Sequence, residues 1–353
     1  MSDVLEGVSS AQVGRALVIG GAGYAGRVFA RRLAELGCEV RTFDRADADS
    51  ETGEHVVGDI TDAHAVRRAC EGIDTVFHTA ASMALWGYAR KPERDQVFAV
   101  NVGGTRNVIE ACREEEVSRL VYVSTTNVVM DPQTGFDGGD ESSPYAERFI
   151  DLYTPSKIEA ERLVRAAHGD ALRTVAIRPN GIWGPDGDAY MIRAFLEMVA
   201  AGAWVMQVGE PQARIDNTHV DNLVRGCLLA AKGLTDAPEV IGGRAYFITD
   251  GEAFSAMEWF SPLAESIGVS MPRFRLPSLV LRPLAHLVEL GRLVTGGDPT
   301  LSRLKAAKLC VPNWASIEAA RRDLGYEPIR TREHLRIDAE HYRGAFEAIK
   351  AQR

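Results

Sequence analysis

Cysteine is scarce and scattered: Cys38, Cys70, Cys112, Cys227 and Cys310 are odd in number and form no C-x-x-C pair. That argues against a disulfide framework or a zinc ribbon, and no metal site is expected. A reducing cytoplasm is the compartment this predicts. No run of about 18 apolar residues occurs, so no membrane-spanning helix is expected. The nearest approach, 277–294, is interrupted by Arg282, His286, Glu289 and Arg292. Blocks of Lys and Arg are missing too. With 49 acidic residues against 40 basic and a net charge of −9, no nucleic-acid partner is expected. Asp3 and Glu6 break up the first residues, unlike a secretory signal. There are no repeats and no low-complexity tract. What is present is the balance of a globular protein, 46% hydrophobic and 25% charged. The 353 residues correspond to roughly two domains at about 150 residues each.

Strands and helices alternate through the first half. Arg15-Ala16-Leu17-Val18-Ile19 is a short apolar run ending in glycines, which reads as a strand buried on both faces. Residues 24–36 have helical spacing, and Gly37 stops it. Further strands are expected at 39–44, 55–57, 73–78, 119–123 and 173–177, and helices at 63–70, at 97–116 and after Tyr153. This predicts an α/β fold with a doubly wound parallel Rossmann sheet over 12–180. Past Pro179 the pattern is less regular and richer in Trp, Met and Pro, which places a smaller C-terminal substrate lobe over 181–353. Two pieces near 213–250, a helix at 220–231 and a strand at 245–248, are expected to return to the first domain. Residues 131–143 read as an exposed loop.

Gly20-Gly21-Ala22-Gly23-Tyr24-Ala25-Gly26 lies between a strand and a helix. Gly20 allows the tight turn, Gly23 lets the backbone approach a pyrophosphate, and Gly26 permits close helix–strand packing. The anion would rest on the helix N-terminus. Asp44 lies 24 residues beyond Gly20, at a strand end where its carboxylate can accept both ribose hydroxyls. That favours NAD as the cofactor over NADP, whose 2′-phosphate the charge would repel. Arg27 and Arg45 are the counter-argument, since either could pair with such a phosphate. Asp59 and Ile60 follow the third strand, placed to accept from an adenine amino group and to cover its ring. Asp59 read on its own is equally a turn or N-cap aspartate.

Tyr153 and Lys157 are four apart, so a helix puts them on one face. An ammonium about 4 Å from a phenol, at an effective dielectric of about 20, contributes roughly 4 kcal/mol. That lowers the phenol pKa by up to about three units, into the range a general base needs. Pro155 is tolerated only in a first helical turn, so the helix must begin close to Tyr153. Ser124-Thr125-Thr126 ends the fifth strand. Any of the three hydroxyls could hold a reacting oxygen, and Thr125 is favoured. Asn101 could hold a water that carries a proton away, or could be purely structural.

These motifs, with Gly58-Asp59-Ile60-Thr61-Asp62, His78-Thr79-Ala80-Ala81, Asn101-Val-Gly-Gly-Thr105 and Arg178-Pro179-Asn180-Gly181-Ile182-Trp183-Gly184, resemble the extended short-chain dehydrogenase/reductase family. The Arg178–Gly184 motif, Asp151-Leu-Tyr-Thr-Pro-Ser-Lys157, Arg214-Ile-Asp-Asn-Thr-His-Val220 and Tyr246-Phe247-Ile248-Thr249-Asp250 are most similar to its 3β-hydroxysteroid dehydrogenase branch, especially the bacterial members, and the match runs over about residues 14–345. The resemblance implies a catalytic triad of Thr125, Tyr153 and Lys157 with Asn101 as accessory. It implies cofactor contacts from Tyr24, Ala25, Thr79, Ala80, Ala81 and Ser124, with Pro179 and Ile182 against the nicotinamide. Two departures stand out: threonine replaces serine at 125, and Ile19 replaces a threonine. Phe247 and Gly251 replace the Tyr and Asp of relatives that also shift the ring double bond, although Asp250 is retained.

The activity expected is NAD-dependent oxidation of a 3β-hydroxysteroid to the 3-ketosteroid, with Tyr153 as base. Met83, Leu85, Trp86, Tyr88, Trp183, Met191 and Trp204 are candidate walls of an apolar substrate pocket. The alternatives are a decarboxylating 4-carboxysterol dehydrogenase or a long-chain β-keto acid reductase, with Arg193 or Arg214 on the carboxylate. Outside enzymes, the alternative is an NAD(H)-sensing regulator. The stretch 276–294 is read as a substrate-access or peripheral membrane surface, or else as lobe packing. A homodimer through the long helices is implied by the resemblance alone.

Overall fold

Short runs of Val, Ile, Leu and Phe, walled by residues that suit helices, build one seven-stranded parallel sheet. The computed structural model describes residues 3–47, 52–185, 190–299 and 301–352. The sheet strands are β1 (Ala16–Ile19), β2 (Val40–Asp44), β3 (Glu54–Val57), β4 (Thr75–His78), β5 (Arg119–Val123), β6 (Arg173–Arg178) and β7 (Ala245–Phe247). Their spatial order is β7-β6-β5-β4-β1-β2-β3. All four residues of β1 and of β4 are buried, as expected for strands covered on both faces. Alternation divides them between two cores. Val18, Phe77 and Val121 pack on one face, and Leu17, Ile19, Val76 and Leu120 on the other. The order reverses between β1 and β4, so the carboxyl ends of these strands frame the crevice where such sheets bind ligands.

The helices that matter below are α1 (Tyr24–Glu35), α2 (Ala63–Cys70), α3 (Lys91–Phe98), α4 (Gly104–Glu114), α5 (Tyr153–Ala166), α6 (Tyr190–Ala200), α7 (Val220–Asp236), α8 (Ala256–Ser266), α9 (Ser278–Thr295), α10 (Arg303–Cys310) and α11 (Ala339–Ala351). Asp62 caps α2 by accepting from the N–H groups of His64 and Ala65. The strand β7 pairs with β6 at the sheet edge, and α7 packs against β5 and β6. A separate core joins Trp183, from the short strand Ile182–Trp183, to Phe195, Trp259, Leu263, Tyr342 and Phe346 of α6, α8 and α11.

Two expectations need correction. The helix expected over 97–116 starts at Lys91, with Pro92 in its first turn. It is then interrupted by a π-helical turn, Ala99–Gly103, before α4. The loop expected at 131–143 contains a strand, Phe136–Gly139, which pairs with Asn313–Ala315. The buried Phe136 ring, 5.6 Å from that of Phe247, anchors it.

Candidate active site

Gly20 has a φ of 92°, and a Cβ there would lie 2.7 Å from both the Ala80 nitrogen and Thr79 Oγ1. Only glycine fits this turn. A Cβ on Gly26 would run into the Gly20 carbonyl, so α1 starts hard against the turn. Gly23 is the exposed N-cap of α1 and brings no side chain to it. Tyr24 and Ala25 form the first turn, whose N–H groups favour an anion. The Thr79 hydroxyl and the N–H groups of Thr79 and Ala80 all donate to the Ile19 carbonyl, at 2.8, 2.9 and 3.0 Å. This clamps the ends of β1 and β4 just before Ala81.

Asp44 ends β2 and accepts from the N–H of Ala22 and of Ala46, both at 3.1 Å, one on each oxygen. Each oxygen keeps a lone pair for a ribose hydroxyl. Asp59 accepts from the Thr61 N–H at 2.9 Å and hydroxyl at 2.8 Å through one oxygen. Those bonds hold its carboxyl below the usual range. It is thus a turn aspartate with its second oxygen clear of that turn. Ile60 is buried where Gly104 leaves room, since a Cβ there would lie 2.8 Å from it. Arg27 reaches back to the Ala22 carbonyl at 2.5 Å, and Arg45 is exposed with its charge near Asp59. A bare glycine cradle, an uncapped helix start and an acid at the second strand end fit a dinucleotide.

At the end of β5 the three hydroxyls separate. Ser124 donates to Glu161 Oε2 at 2.5 Å, which leaves its oxygen only as an acceptor toward a cofactor. Thr126 is fully buried, and its N–H donates to the carbonyl of Pro179 at 2.9 Å. The Thr125 hydroxyl lies close enough to the Tyr153 phenol to lower its pKa and accepts the Asn127 N–H at 3.2 Å. Of the three, Thr125 meets the tyrosine. The helix α5 does begin at Tyr153, with Asp151 accepting from the Thr154 N–H at 2.6 Å. Lys157 lies one turn on, and its Nζ donates to the Val123 carbonyl at 2.7 Å and sits 4.1 Å over the Tyr122 ring.

The acidified phenol predicted from sequence is not what this arrangement gives. Burial and the Asp151 carboxylate both push the Tyr153 pKa up, and only the Thr125 hydroxyl pulls it down. Burial also lowers Lys157 to about 7 against the pull of Glu161. The ammonium points its shortest bond at a carbonyl rather than at the phenol, and both groups are dehydrated, so neither ionises freely.

Glu161, missed in the sequence, is the hub beneath this pair. It accepts from Ser124, from Tyr145 at 2.9 Å and from Arg178 Nη2 at 2.6 Å. The Arg178 charge holds its carboxyl low despite burial. Its spacing of four from Lys157 and eight from Tyr153, one helix face, was the signal that could have found it. Asn101 sits in the π turn. Its Oδ1 accepts the Ser82 N–H at 2.7 Å, and its Nδ2 donates to the Ser82 carbonyl at 3.0 Å and to Ser156 Oγ at 2.8 Å. Both amide hydrogens are committed to protein, so the water-holding role gives way to bracing. The same segment holds the tyrosine directly: the N–H groups of Tyr153 and Leu152 donate to the carbonyls of Ala84 at 3.1 Å and Trp86 at 3.0 Å.

Pro179 is buried at the end of β6, and Ile182 begins a two-residue strand against Thr218–His219. Trp183 is fully buried on Trp259 and His219, so it is core rather than pocket wall. Asp250 accepts from Trp183 Nε1 at 2.6 Å, the His219 N–H at 2.6 Å and Asn222 Nδ2 at 2.7 Å. Burial raises its pKa well above the usual range. Arg193 pairs with Glu197 at 2.9 Å and Arg214 lies over the Trp314 ring at 5.0 Å, so the candidate carboxylate cations have other partners. The cation near Tyr153's first turn is instead Lys308 of α10, whose Nζ donates to Asn180 Oδ1 at 3.2 Å. Burial lowers it to about 8 while Asp151 pulls the other way. No local sequence signal marks it.

The sequence pattern of the 3-beta hydroxysteroid dehydrogenase/isomerase family matches residues 17–278. The 3 beta-hydroxysteroid dehydrogenase/Delta 5-->4-isomerase of Mycobacterium tuberculosis is 41% identical over 350 residues, covering 96% of this chain and 93% of its own. The 2-alkyl-3-oxoalkanoate reductase of Stenotrophomonas maltophilia is 36% identical, covering 88% of this chain and 94% of its own. Among solved structures, MoeE5 in complex with UDP-glucuronic acid and NAD superposes with a TM-score of 0.72 at 25% identity, over 94% of this chain and all of that one. Epimerase Mth375 of Methanothermobacter thermautotrophicus superposes with a TM-score of 0.75 at 23% identity, over 97% of this chain and 96% of its own. With this match across its length, the chain belongs to the 3-beta hydroxysteroid dehydrogenase/isomerase family.

Proposed function

We propose that the protein oxidises a 3β-hydroxysteroid to the 3-ketosteroid with NAD. The observation that carries this reading is the placing of Thr125 at the carboxyl end of β5, its hydroxyl close enough to the buried Tyr153 phenol to lower its pKa, one helical turn from the Lys157 ammonium. NAD, when bound, supplies the acceptor for the hydride that leaves the carbinol carbon. Thr125 holds the substrate oxygen, and the Tyr153 oxygen takes its proton as the phenolate, becoming the neutral phenol. The Lys157 ammonium stabilises that phenolate until the proton arrives, and Glu161 with Arg178 fixes the floor of the site. Asn101 braces the segment before Met83. Gly20, Gly23 and Gly26 with Tyr24 and Ala25 would hold the pyrophosphate. Asp44 would hold the ribose, Asp59 and Ile60 the adenine, Thr79 to Ala81 the turn beneath it, and Pro179 and Ile182 the nicotinamide side. The charge of Asp44 supports NAD over NADP. Residues 12–180, with the returns near 213–250, form the cofactor domain in this reading, and most of 181–353 the substrate lobe. Peripheral membrane contact through 276–294, a cytoplasmic location and a homodimer through the long helices belong to the same proposal.

The activity named for the mycobacterial relative supports the steroid class, as do the other partners found for the two arginines proposed for a carboxylate. NADH formation at 340 nm with a panel of 3β-hydroxysteroids tests the reading, with 4-carboxysterols and β-keto acids as controls. Turnover of the sterols is expected. Turnover of acyl substrates alone would refute it, and tight NAD binding without turnover of any alcohol would favour a sensor.

A further inference from the structure

Between β4 and α3 the chain runs from 79 to 90 without helix or strand. A strap of this kind must find partners for its own peptide groups elsewhere. At its start, Asn101 takes both the N–H and the carbonyl of Ser82. In its middle, the carbonyls of Ala84 and Trp86 accept the N–H groups of Tyr153 and Leu152. Helix α5 cannot supply acceptors for the N–H groups at its own start. The strap does so, and it thereby sets where the first turn lies. A Cβ on Gly87 would lie 2.6 Å from the Ile150 carbonyl, so the strap runs hard against the residues that lead into α5.

The far end of the strap is held by one side chain 202 residues away. Glu289 of α9 is fully buried, where a lone carboxylate would be costly. Its Oε1 accepts the N–H groups of Gly87 at 2.8 Å and Tyr88 at 3.1 Å. Its Oε2 accepts the Arg303 N–H at 2.7 Å, and the Arg303 guanidinium reaches Oε1 at 3.0 Å. Burial pushes its pKa up, but these bonds together hold it below the usual carboxylate range. The carboxylate therefore stays charged where it is buried. Arg292 donates to the Tyr88 carbonyl at 2.6 Å and so closes the same stretch from the other side. The strap is pinned at both ends, and the tyrosine is bonded to its middle. We propose that Glu289 is a positioning residue for the reaction: by fixing Gly87 and Tyr88 it sets the carbonyls of Ala84 and Trp86, and through them the place of Tyr153 beside Thr125. The kinetic consequence rests on the reading of Tyr153 as proton acceptor, and the structural consequence does not.

Two variants reach the strap from different sides. Glu289→Gln keeps one oxygen for Gly87 and Tyr88, but its amide nitrogen cannot accept the Arg303 N–H. Gly87→Ala pushes the strap off Ile150 without touching α9. Both are expected to quicken amide exchange at Leu152 and Tyr153 by about tenfold, with the later turns of α5 unchanged. Both should lower kcat about tenfold or more, because small misplacement of a reacting group is costly, while the Kd for NAD stays the same. The primary isotope effect with a sterol deuterated at the carbinol carbon should rise as the chemical step slows. Unchanged exchange at Leu152 and Tyr153 would overturn the positioning, whatever the sterol assay gives. Exchange that quickened throughout α5, or NAD affinity that fell with kcat, would overturn it as general loosening. Faster exchange at full turnover would overturn the role in the reaction. Should Glu289→Gln fail to fold, Gly87→Ala decides, and in a wild type that oxidised no sterol the exchange result decides.

Discussion

The ammonium of Lys157 donates to the Val123 carbonyl at 2.7 Å, which ties α5 to the last residue of β5. The bond aligns the two elements that carry Tyr153 and Thr125, so the lysine positions as well as charges. Burial holds its pKa near 7 in the folded protein, from an ordinary 10.5.

That depression has a consequence for stability. The unfolded chain binds more protons at this site between about pH 7 and 10.5, so folding stability rises with pH across that window and is level at its low value below 7, where both states are protonated. Replacing Lys157 with Met should flatten the rise by an amount on the order of a few kcal/mol. Urea unfolding at pH 7 and pH 10 reads it directly, and equal slopes in the two proteins would contradict the burial argument.

Asp151 is buried, and its charge raises the pKa of Tyr153. Its own carboxyl is pushed up to about 6 by burial. Asp151→Asn keeps an acceptor for the Thr154 N–H and removes the charge. The pH midpoint of kcat should move down by about one unit, and the two profiles should converge below pH 6, where the wild-type carboxyl is protonated. An upward move would show that Asp151 assists the base.

Asp44 should discriminate between cofactors by charge. Asp44→Asn is expected to relax the preference of kcat/KM for NAD over NADP by at least about tenfold, with a smaller loss for NAD itself. A preference that stays intact would move the selectivity elsewhere in the loop.

The first half of the site was legible because it is local. The glycine loop, Asp44 and the Tyr153–Lys157 pair each lie within one strand–turn–helix unit, where spacing alone sets geometry. Asn101 was harder. Apolar periodicity reads one helix through it, while a side chain reaching Ser82 sits in a π turn that periodicity does not encode. Lys308 comes to Asn180 from 128 residues away, and only tertiary packing brings it there. The acidity of Tyr153 was misjudged because pair spacing gives the Coulomb attraction but not the burial of both groups. Helix α9 shows the same limit: its leucines were plain in the sequence, while the bonds of its buried Glu289 to Gly87 and Arg303 were not.

The proton acceptor is the point on which the account turns. Steady-state oxidation by Tyr153→Phe at saturating NAD, with NAD affinity measured alongside, tests it most directly. The account predicts a fall in kcat of about 10²–10⁴-fold with cofactor affinity and melting temperature unchanged. A variant that kept most of its turnover would contradict it.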